Sequence, residues 1–460
     1  MNLLLTHGYF LNDDANERRI MKPYPPLGIL YISAFLKSRG LDVNVFDTTF
    51  SAKPEFFSFI DRERPSIVGI YANLMTKLNV LELVRYCKHQ GCTVIVGGPD
   101  VPEYAEQYLR FGADVAVIGE AELTMAELLP ALLKKASLRS IAGIAYLDED
   151  GNLMRTAPRE LIQDLDDLPL PDRSAIDVPR YVSTWKEHHG MGSISLICAR
   201  GCPFTCTWCS RSVFGETHRR RSPARVVDEI EFLRDTYHPD MLWFADDVFT
   251  INHRWFHDFH AEMTRRGIRI PFECISRADR LNEDILRKMA ELGAFRIWYG
   301  SESGSQRVLD AMQRRVSIEE IQNVTRLAQR YGIQAGLFVM LGYPGEEISD
   351  IEATARHLTL TNADTFLTTV AYPIKGTEFY NEIRDRVKNG VDWSKTTDRN
   401  LRIAGRRSDR FYWFANRFVT NEVLQHKLRS GRGALKYAAA VAKAKLARLG
   451  MELTKEELSA

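Results

Sequence analysis

The sequence predicts an α/β protein: a five-stranded parallel sheet domain of the Rossmann-like type, a partial (βα)6 barrel of the TIM type, and a C-terminal helical region. Short apolar runs alternate with amphipathic helical patterns through residues 1–140, and the alternation resumes with a longer period after residue 190. Three cysteines, Cys202, Cys206 and Cys209, directly follow the first strand of the second series. These observations predict two sheet-containing domains with a reactive loop in the second.

The amino-terminal domain is predicted from five apolar runs that read as buried strands: NLLLTH, LDVNVFD, PSIVGIYA, TVIVGGP and DVAVIGE. Helical patterns separate the runs, and several end in the glycine expected just past a helix. Ligands of such open sheets bind beyond the carboxyl ends of the strands. Glycines and polar residues gather at those ends, namely Tyr71, Asn73, Gly97, Gly98, Gly119 and Glu120. We therefore expect this domain to bind a nucleotide or a large flat molecule.

Residues 141–190 differ in character from the flanking segments. YLDEDGNLMR predicts a hairpin around Asp-Gly, and DLDDLPLPDRSAIDVP is acidic with spaced prolines, as in a linker. We therefore divide the chain into a sheet domain at 1–140, a linker at 141–190, a barrel at 191–400 and a helical region at 401–460.

Six strand candidates follow the linker: SISLICA, MLWFADD, FECISRA, FRIWYGSE, AGLFVMLG and FLTTVAYP. Amphipathic helices such as PARVVDEIEFLRDTYH separate them. Six strand–helix units fit a barrel that is open on one side, since the full barrel has eight. Chemistry is then expected at the carboxyl ends of the strands and in the loops that follow them.

The spacing Cys-x3-Cys-x2-Cys indicates an iron–sulfur cluster. No second Cys-x2-Cys knuckle follows it, so the pattern does not fit paired zinc knuckles. A 4Fe–4S cluster usually has four thiolates, and three would leave one iron free for a ligand. Cys198 falls on the apolar strand and is expected to point into the packed sheet. The alternative is a three-thiolate zinc site completed by His218.

Composition excludes several functional classes. The formal net charge of +1 gives no global attraction to nucleic acid. The start MNLLLTHGYF lacks the cationic segment of a signal peptide, and no apolar run is long enough for a membrane span. Seven cysteines without a secretory signal are expected to be thiols in a reducing cytoplasm.

At Cys202-Pro-Phe-Thr-Cys206-Thr-Trp208-Cys209 the sequence resembles the Cys-x3-Cys-x-aromatic-Cys signature of the radical S-adenosylmethionine (SAM) superfamily. The resemblance implies that the three cysteines ligate a 4Fe–4S cluster whose free iron is chelated by SAM. It also implies that an electron from the reduced cluster cleaves SAM to a 5′-deoxyadenosyl radical. A flavodoxin or ferredoxin would supply the electron, and the enzyme would be oxygen-sensitive.

The resemblance also implies a SAM site at the strand ends. Asp246 and Asp247 would accept hydrogen bonds from the SAM ammonium, Arg277 would pair with its carboxylate, and Glu302 would accept from ribose hydroxyls. The full set of implied SAM contacts is Trp208, Asp246, Asp247, Ser276, Arg277, Glu302 and Gly342. Alternatively, Arg277 and Glu302 form salt bridges at the barrel mouth.

The order of PPLGILYISAFLKSRG, SIVGIYANLMT, VIVGGPDVPEY and VIGEAELTMAELL resembles the cobalamin-binding subclass of this superfamily. The resemblance covers the chain up to the helical tail. It implies cobalamin contacts at Tyr71, Asn73, Gly97, Gly98, Gly119 and Glu120, although Tyr71 stands where the subclass commonly has serine.

The lower cobalt ligand common in cobalamin domains lies in Asp-x-His-x-x-Gly. Here Leu5 and Phe10 replace the Asp and Gly that would flank His7. No partner that would orient the ring is visible in the sequence, so we expect a strand-end histidine and an open or water-bound lower face of cobalt.

The leading functional hypothesis is a cobalamin-dependent radical SAM enzyme that methylates an unactivated carbon; the sequence identifies no catalytic residue for that step. One alternative resembles the anaerobic cyclase that forms the fifth ring of bacteriochlorophyll from a Mg-protoporphyrin ester. Others are a radical SAM enzyme that does not use cobalamin, and a binding protein whose cluster is structural or transfers electrons.

The tail reads as helical and basic. No acid lies between Glu422 and Glu452, whereas seven Lys or Arg occur there, and leucines such as Leu446 and Leu449 recur at helical spacing. Two interpretations stay open: a surface helix packed on the barrel, or a helix lying on an anionic membrane. The second would suit a lipid substrate; a small-molecule substrate is the other expectation.

Overall fold

The computed structural model describes residues 2–388, 392–429 and 434–459. The chain forms two compact units. The first comprises Met1–Pro203, Ser210–Trp243 and Val391–Asp398, and the second comprises Phe204–Cys209, Phe244–Gly390 and Arg399–Ala460. Both contain parallel β-sheet and α-helices, which confirms the predicted mixed α/β class.

The first unit contains a seven-stranded sheet with the order β2-β1-β3-β4-β5-β6-β7. The first five strands pair in parallel, whereas β6 pairs with β5, and β7 with β6, in antiparallel fashion. Each of the five apolar runs predicted as strands contains one of the parallel strands. The seven strands are β1 (Leu3–His7), β2 (Val43–Phe46), β3 (Ile67–Tyr71), β4 (Thr93–Gly97), β5 (Val115–Val117), β6 (Ile144–Leu147) and β7 (Leu153–Arg155).

Both faces of this sheet carry apolar clusters, and the side chains along each strand alternate between the two faces. Leu4 belongs to an apolar cluster with Phe56 and Tyr108, whereas its neighbour Leu5 belongs to a second cluster with Leu128. The helices of the unit are α1 (Ala15–Ile20), α2 (Leu27–Lys37), α3 (Lys53–Glu63), α4 (Lys77–His89), α5 (Val101–Phe111), α6 (Glu122–Leu133), α7 (Val178–His189) and α8 (Pro223–Tyr237).

The segment 141–190 contains a hairpin and a helix. The predicted hairpin is present as β6 and β7, and it extends the sheet. Helix α7 begins after Asp177, whose side chain accepts a hydrogen bond from the backbone N–H of Arg180. Acidic and proline-rich composition concealed this helix, although proline in the first turn is compatible with helix initiation.

The second series of strands begins with β8 (Ser193–Leu196), and a two-residue antiparallel ribbon follows it, formed by β9 (Ala199–Arg200) and β10 (Arg219–Arg220). The cysteine loop runs from one strand of this ribbon to the other. Strand β11 (Met241–Phe244) then leads from the first unit into the second.

The second unit contains a parallel sheet whose neighbouring strands are consecutive in the chain. Its four strands are β12 (Phe272–Ser276), β13 (Ala294–Glu302), β14 (Gln334–Leu341) and β15 (Thr365–Val370), and a short antiparallel pair is formed by β16 (Val387–Lys388) and β17 (Arg402–Ile403). Each of the six segments predicted as barrel strands overlaps a strand. Closure into a partial barrel stays a prediction.

The helices of the second unit separate and follow these strands. They are α9 (His253–Arg265), α10 (Glu283–Leu292), α11 (Gln306–Ala311), α12 (Ile318–Arg330), α13 (Ile348–Thr361), α14 (Glu378–Ile383), α15 (Asp409–Leu428) and α16 (Ala434–Thr454). The predicted helical tail is thus present as α15 and α16.

Helix α16 turns its small residues inward. Ala440, Ala444, Ala447 and Met451 are buried, whereas the leucines at helical spacing are exposed. A stripe of small residues lets two helix backbones approach closely, so the alanine face packs and the leucine face is left outside. Within the described residues, no helix is both long and apolar enough to cross a membrane.

Candidate active site

The cysteine loop is anchored in the second unit through the residues around Cys206. The Thr207 hydroxyl forms a hydrogen bond of 2.7 Å with the Tyr343 hydroxyl, and the Phe379 N–H donates to Thr207 O over 2.8 Å. Cys206 is buried and Cys209 is half-buried, and a hydrogen bond joins the two thiols. Cys202 is half-buried and belongs to the first unit.

Two buried arginines donate to the sulfur of Cys206. Arg314 Nη1 lies 3.3 Å from Cys206 Sγ, and Arg277 Nη1 lies 3.6 Å from it. The hydrogen bond from Cys209 and the charges of Arg314 and Arg277 lower the pKa of the Cys206 thiol. Thiolate is the form that binds iron, so the surroundings of Cys206 fit a cluster ligand.

Within the described residues, no three His, Cys, Asp or Glu side chains converge as they would around a single metal ion. A cluster spreads three thiolates over three irons, so its ligands need not converge on one point. Ligation by Cys202, Cys206 and Cys209 together stays a prediction.

Glu302 ends β13 in the left-handed backbone region, with φ of 55°. Such a conformation is costly for a residue with a side chain and persists only where the surroundings enforce it. Its carboxylate is buried, and Oε1 lies 3.8 Å from Arg314 Nε. Burial raises the pKa of Glu302 to about 7. A buried carboxylate paired at that distance has capacity for a further donor.

The side chains of Glu302 and Arg314 occupy space that a side chain at position 300 would fill. A Cβ at position 300 would lie 2.1 Å from Glu302 Oε1 and 2.6 Å from Arg314 Nη2. The absence of a side chain also lets Arg314 Nη2 donate to Gly300 O over 3.0 Å.

Asp246 and Asp247 follow β11. Asp246 is buried, whereas the side chain of Asp247 reaches solvent. The atoms packed around Asp247 and the charge of the Asp246 carboxylate raise the pKa of Asp247. A cation between the two adjacent carboxylates would offset their mutual repulsion, so this strand end is a favourable place for a positively charged group.

Ser276 and Arg277 follow β12 and already have partners in the protein. The Ser276 hydroxyl forms a hydrogen bond of 2.5 Å with that of Thr250. Arg277 donates to Asp279 over 2.8 and 3.3 Å and to Arg314 O over 2.8 Å, and it stacks 3.7 Å above the Phe204 ring. The salt bridge considered as the alternative for Arg277 is therefore present.

Gly342 and Trp208 differ in their surroundings. Gly342 has a φ of 79° and donates from its N–H to Glu346 Oε2 over 2.6 Å. Trp208 packs against the apolar cluster that contains Tyr343 and Phe379. Its buried indole Nε1 has no hydrogen-bond acceptor within the described parts of the chain. An orphaned buried donor of this kind fits a ligand that would accept from it.

The predicted cobalamin contacts lie at the carboxyl ends of β3, β4 and β5. Tyr71 pairs with Gly97 across two of these strands. Asn73 Oδ1 accepts from the N–H groups of Met75 and Thr76 at the start of α4. Gly98 lies so close to Ala72 O that a Cβ would approach it to 2.4 Å. The Asn73 side chain therefore also stabilises the loop before α4 by hydrogen bonds. Glycine at position 98 also allows the close approach of the backbone to Ala72 O.

Gly119 and Glu120, which follow β5, differ in how much room they leave for a ligand. A Cβ at Gly119 would find its nearest neighbour only at 3.9 Å, so the backbone there is open to a ligand. Glu120 is buried and accepts from Arg200 and Arg219 over 2.8 Å each, and from the Ile162 N–H over 2.8 Å. The residues at this edge fit a large ligand at Gly119 more readily than at Glu120.

The residue that orients His7 is Asp47, at the end of β2. His7 Nε2 lies 2.9 Å from Asp47 Oδ1, and the Tyr9 N–H donates to Nδ1 over 3.2 Å. The expectation that His7 lacks such a partner was wrong, because Asp47 is distant in the sequence and joins it only through strand pairing.

Arg314, Gly300 and Asp47 were not identified from the sequence. Each acts through a partner that is far away in the chain, or through the space that a missing side chain leaves. Only the Arg-Arg dipeptide after α11 marks Arg314, and an arginine pair is an ordinary feature of a surface loop.

Comparison with known proteins agrees with this geometry. Residues 196–358 match the radical SAM superfamily, and residues 19–129 match the B12 binding domain. An uncharacterized methyltransferase of Pyrococcus horikoshii is 29% identical over 84% of both chains. The anaerobic magnesium-protoporphyrin IX monomethyl ester cyclase of Rubrivivax gelatinosus is 26% identical over 84% of this chain and 71% of its own.

A solved structure is similar across most of the chain. The radical SAM methyltransferase TsrM of Kitasatospora setae, with its tryptophan substrate and a SAM analogue bound, superposes with a TM-score of 0.72. The superposition covers 85% of this chain and 79% of TsrM at 18% identity, and it shows a shared fold.

Proposed function

Because the chain belongs to the cobalamin-binding group of the radical SAM superfamily, we propose that it methylates an unactivated carbon. The observation that carries the proposal is the presence of both cofactor domains in one chain. The likeness to a methyltransferase over most of both sequences supports methyl transfer in particular. The substrate is a small molecule or a lipid.

The cofactors supply the difficult chemistry: a 4Fe–4S cluster with SAM generates a radical that removes hydrogen, and cobalamin carries the methyl group. The protein binds and orients them. Cys202, Cys206 and Cys209 would ligate the cluster, and Arg314 and Arg277 hold positive charge against one ligand. The electron comes from an external reductant, for which we propose a flavodoxin or ferredoxin.

We assign the SAM contacts to side chains at the strand ends: Trp208, Asp246, Asp247, Ser276, Arg277, Glu302 and Gly342. The orphaned Nε1 of Trp208 and the incompletely paired carboxylate of Glu302 support this assignment. Arg277 would have to exchange a hydrogen bond with Asp279 for one with the SAM carboxylate. Ser276 would likewise exchange its bond with Thr250.

For cobalamin we keep the strand-end residues Tyr71, Asn73, Gly97, Gly98, Gly119 and Glu120. The open backbone at Gly119 supports the assignment most directly. At Asn73 and Glu120 the side chains have partners in the protein, so their backbone is the better candidate for contact.

We propose the same domain organisation as the sequence predicts: a cobalamin-binding Rossmann-like domain at 1–140, a linker at 141–190, a partial barrel at 191–400 and a helical region at 401–460.

We also place the enzyme in the cytoplasm and expect it to be oxygen-sensitive. Seven free cysteines are consistent with a reducing compartment, and a cluster with an open iron is readily oxidised.

We further propose that α16 contacts an anionic membrane surface. Its exposed leucines are Leu435 (88% exposed), Leu446 (65%), Leu449 (55%) and Leu453 (75%), and they share one face of the helix. Lys436 and Lys443 flank this face on one side and Lys445 on the other, all of them exposed. An apolar face bordered by lysines is the arrangement of a helix lying in a membrane interface. Of the seven basic residues in the tail, Arg432 lies outside the described residues.

Co-sedimentation with vesicles tests the membrane proposal. The protein should sediment with phosphatidylglycerol vesicles, less so in high salt, and the triple variant Leu446→Ser, Leu449→Ser, Leu453→Ser should not. Leu360→Ser with Leu367→Ser, two exposed leucines outside α16, is the matched control and should bind normally. Equal binding by all three proteins would refute the contact.

The enzymatic proposal is tested by anaerobic reconstitution with iron, sulfide, cobalamin and SAM. We expect cobalamin absorbance after gel filtration and 5′-deoxyadenosine that forms only with a reductant. With methyl-labelled SAM and a metabolite extract, label should appear in a product. A product that gains oxygen or an unsaturated ring would favour the cyclase, which the 26% identity to the magnesium-protoporphyrin ester cyclase makes the second candidate. No deoxyadenosine with any reductant would exclude both.

A further inference from the structure

Arg314 is a buried cation whose guanidinium is shared among three groups. Nη1 donates to Cys206 Sγ over 3.3 Å, Nη2 donates to Gly300 O over 3.0 Å, and Nε faces Glu302 Oε1 at 3.8 Å. No acceptor within the described residues lies close enough for a hydrogen bond from Nε. The hydrogen bonds of Nη1 and Nη2 to Cys206 and Gly300 hold the guanidinium in place.

The second arginine at Cys206 is in a different electrostatic position. Arg277 is neutralised by Asp279, which accepts from its Nε and Nη2 over 2.8 and 3.3 Å. The carboxylate facing Arg314 is farther away, and the Coulomb energy of a pair falls with distance. Of the two guanidinium groups, Arg314 is also the closer to Cys206 Sγ. The uncompensated positive charge at this sulfur therefore belongs mainly to Arg314.

We propose that Arg314 is a positioning residue that sets the reduction potential of the cluster by holding its charge against the Cys206 ligand. The proposal rests on the proposed function only for the presence of the cluster. Reduction transfers one electron from the external reductant to the 4Fe–4S cluster and raises its negative charge by one. A fixed cation beside a ligand sulfur stabilises this reduced form, since hydrogen bonds and charge near the sulfurs tune cluster potentials.

Glu302 acts in the opposite direction in this arrangement. The negative charge of its carboxylate partly cancels the positive charge that Arg314 presents to Cys206. Removing the charge of Glu302 should therefore make the cluster easier to reduce. Arg314 thus connects the carboxylate assigned to the SAM ribose with a ligand of the cluster. The two residues give the proposal two predictions of opposite sign.

The experiment is a redox titration of the reconstituted full-length protein without SAM, followed by the electron paramagnetic resonance signal of the reduced cluster. In Arg314→Gln the ratio of reduced to oxidised cluster at a fixed potential should fall at least tenfold, a shift of about 59 mV for one electron. Arg314→Lys, which keeps the charge, should stay close to wild type. Glu302→Gln should shift the ratio upward. Arg315→Gln, the exposed neighbour, is the matched control and should not change it.

The outcomes separate charge from structure. An unchanged potential in Arg314→Gln, or equal losses in the Gln and Lys variants, overturns the proposal. If Arg314→Gln assembles no cluster while Arg314→Lys does, the requirement for charge is supported. If both variants fold, as judged by circular dichroism, but neither binds a cluster, Arg314 is structural and the proposal fails. A wild-type protein that never assembles a cluster would refute the proposed function instead.

Discussion

His7 and Asp47 form a partly buried hydrogen bond of 2.9 Å at the carboxyl ends of the neighbouring strands β1 and β2. The Tyr9 N–H donates to the other ring nitrogen, so Nδ1 accepts and the proton resides on Nε2. Asp47 also accepts from the Tyr181 hydroxyl over 2.7 Å. Hydrogen bonds from His7 and Tyr181 lower the pKa of Asp47, although its burial acts in the opposite direction. Both ring nitrogens of His7 are therefore committed within the protein.

This commitment predicts that His7 is not the lower ligand of cobalt. In His7→Ala, cobalamin should bind as in wild type, and the cob(II)alamin resonance spectrum should show no nitrogen coupling in either protein. Stability should fall by about 1–3 kcal/mol because Asp47 loses a buried partner, measurable by urea unfolding. Nitrogen coupling that is present in wild type and lost in His7→Ala would contradict the prediction.

The elements that were predicted from the sequence are those marked by a pattern within a short stretch of residues. Apolar runs located the parallel strands, and the spacing of Cys206 and Cys209 located the reactive loop. Arg314 was missed because its partner Cys206 is 108 residues away, and Asp47 because 40 residues separate it from His7. Helix α7 was missed because acids and prolines, typical of linkers, also suit the first turn of a helix. Contacts created by strand order leave no periodic pattern.

Gly300→Ala should disturb the candidate site without unfolding the protein. The new Cβ would meet Glu302 Oε1 and Arg314 Nη2, which are the ends of two side chains, so these side chains have to shift to make room for it. We expect weaker SAM binding by calorimetry and a lower reduced fraction of the cluster at a fixed potential. Gly28→Ala, where a Cβ meets nothing within 4 Å, is the control. Wild-type affinity and potential in Gly300→Ala would show that the pair tolerates the methyl group.

Glu346 predicts a pH dependence of stability. Burial raises its pKa from 4.5 to about 8, and Oε2 accepts from the Gly342 N–H. Between these values the unfolded chain has released the proton that the folded chain retains, so stability falls as pH rises. The slope from this group is at most about 1.4 kcal/mol per pH unit. Glu346→Gln should remove that slope in urea unfolding at several pH values, whereas the exposed Glu456→Gln should leave it in place.

Glu120 offers a direct test of whether its side chain holds the fold or the cobalamin. Its carboxylate pairs with Arg200 and Arg219, all three side chains being buried. Removing one partner of a buried ion pair leaves an uncompensated charge, so Glu120→Ala should lose about 3–5 kcal/mol of unfolding free energy. Arg200 would still pair with Glu122 after this substitution, whereas Arg219 would lose the carboxylate with which it pairs.

The control for Glu120→Ala is Glu127→Ala, whose half-exposed carboxylate pairs with Arg159 and should cost less than about 1 kcal/mol. Cobalamin affinity is then measured by equilibrium dialysis at a temperature where both variants are folded. Near-normal affinity together with the large loss of stability would assign the side chain to the fold and leave the backbone at Gly119 as the contact. Lost affinity at unchanged stability would assign the carboxylate to the cofactor, because the ion pairs would then contribute nothing that unfolding detects.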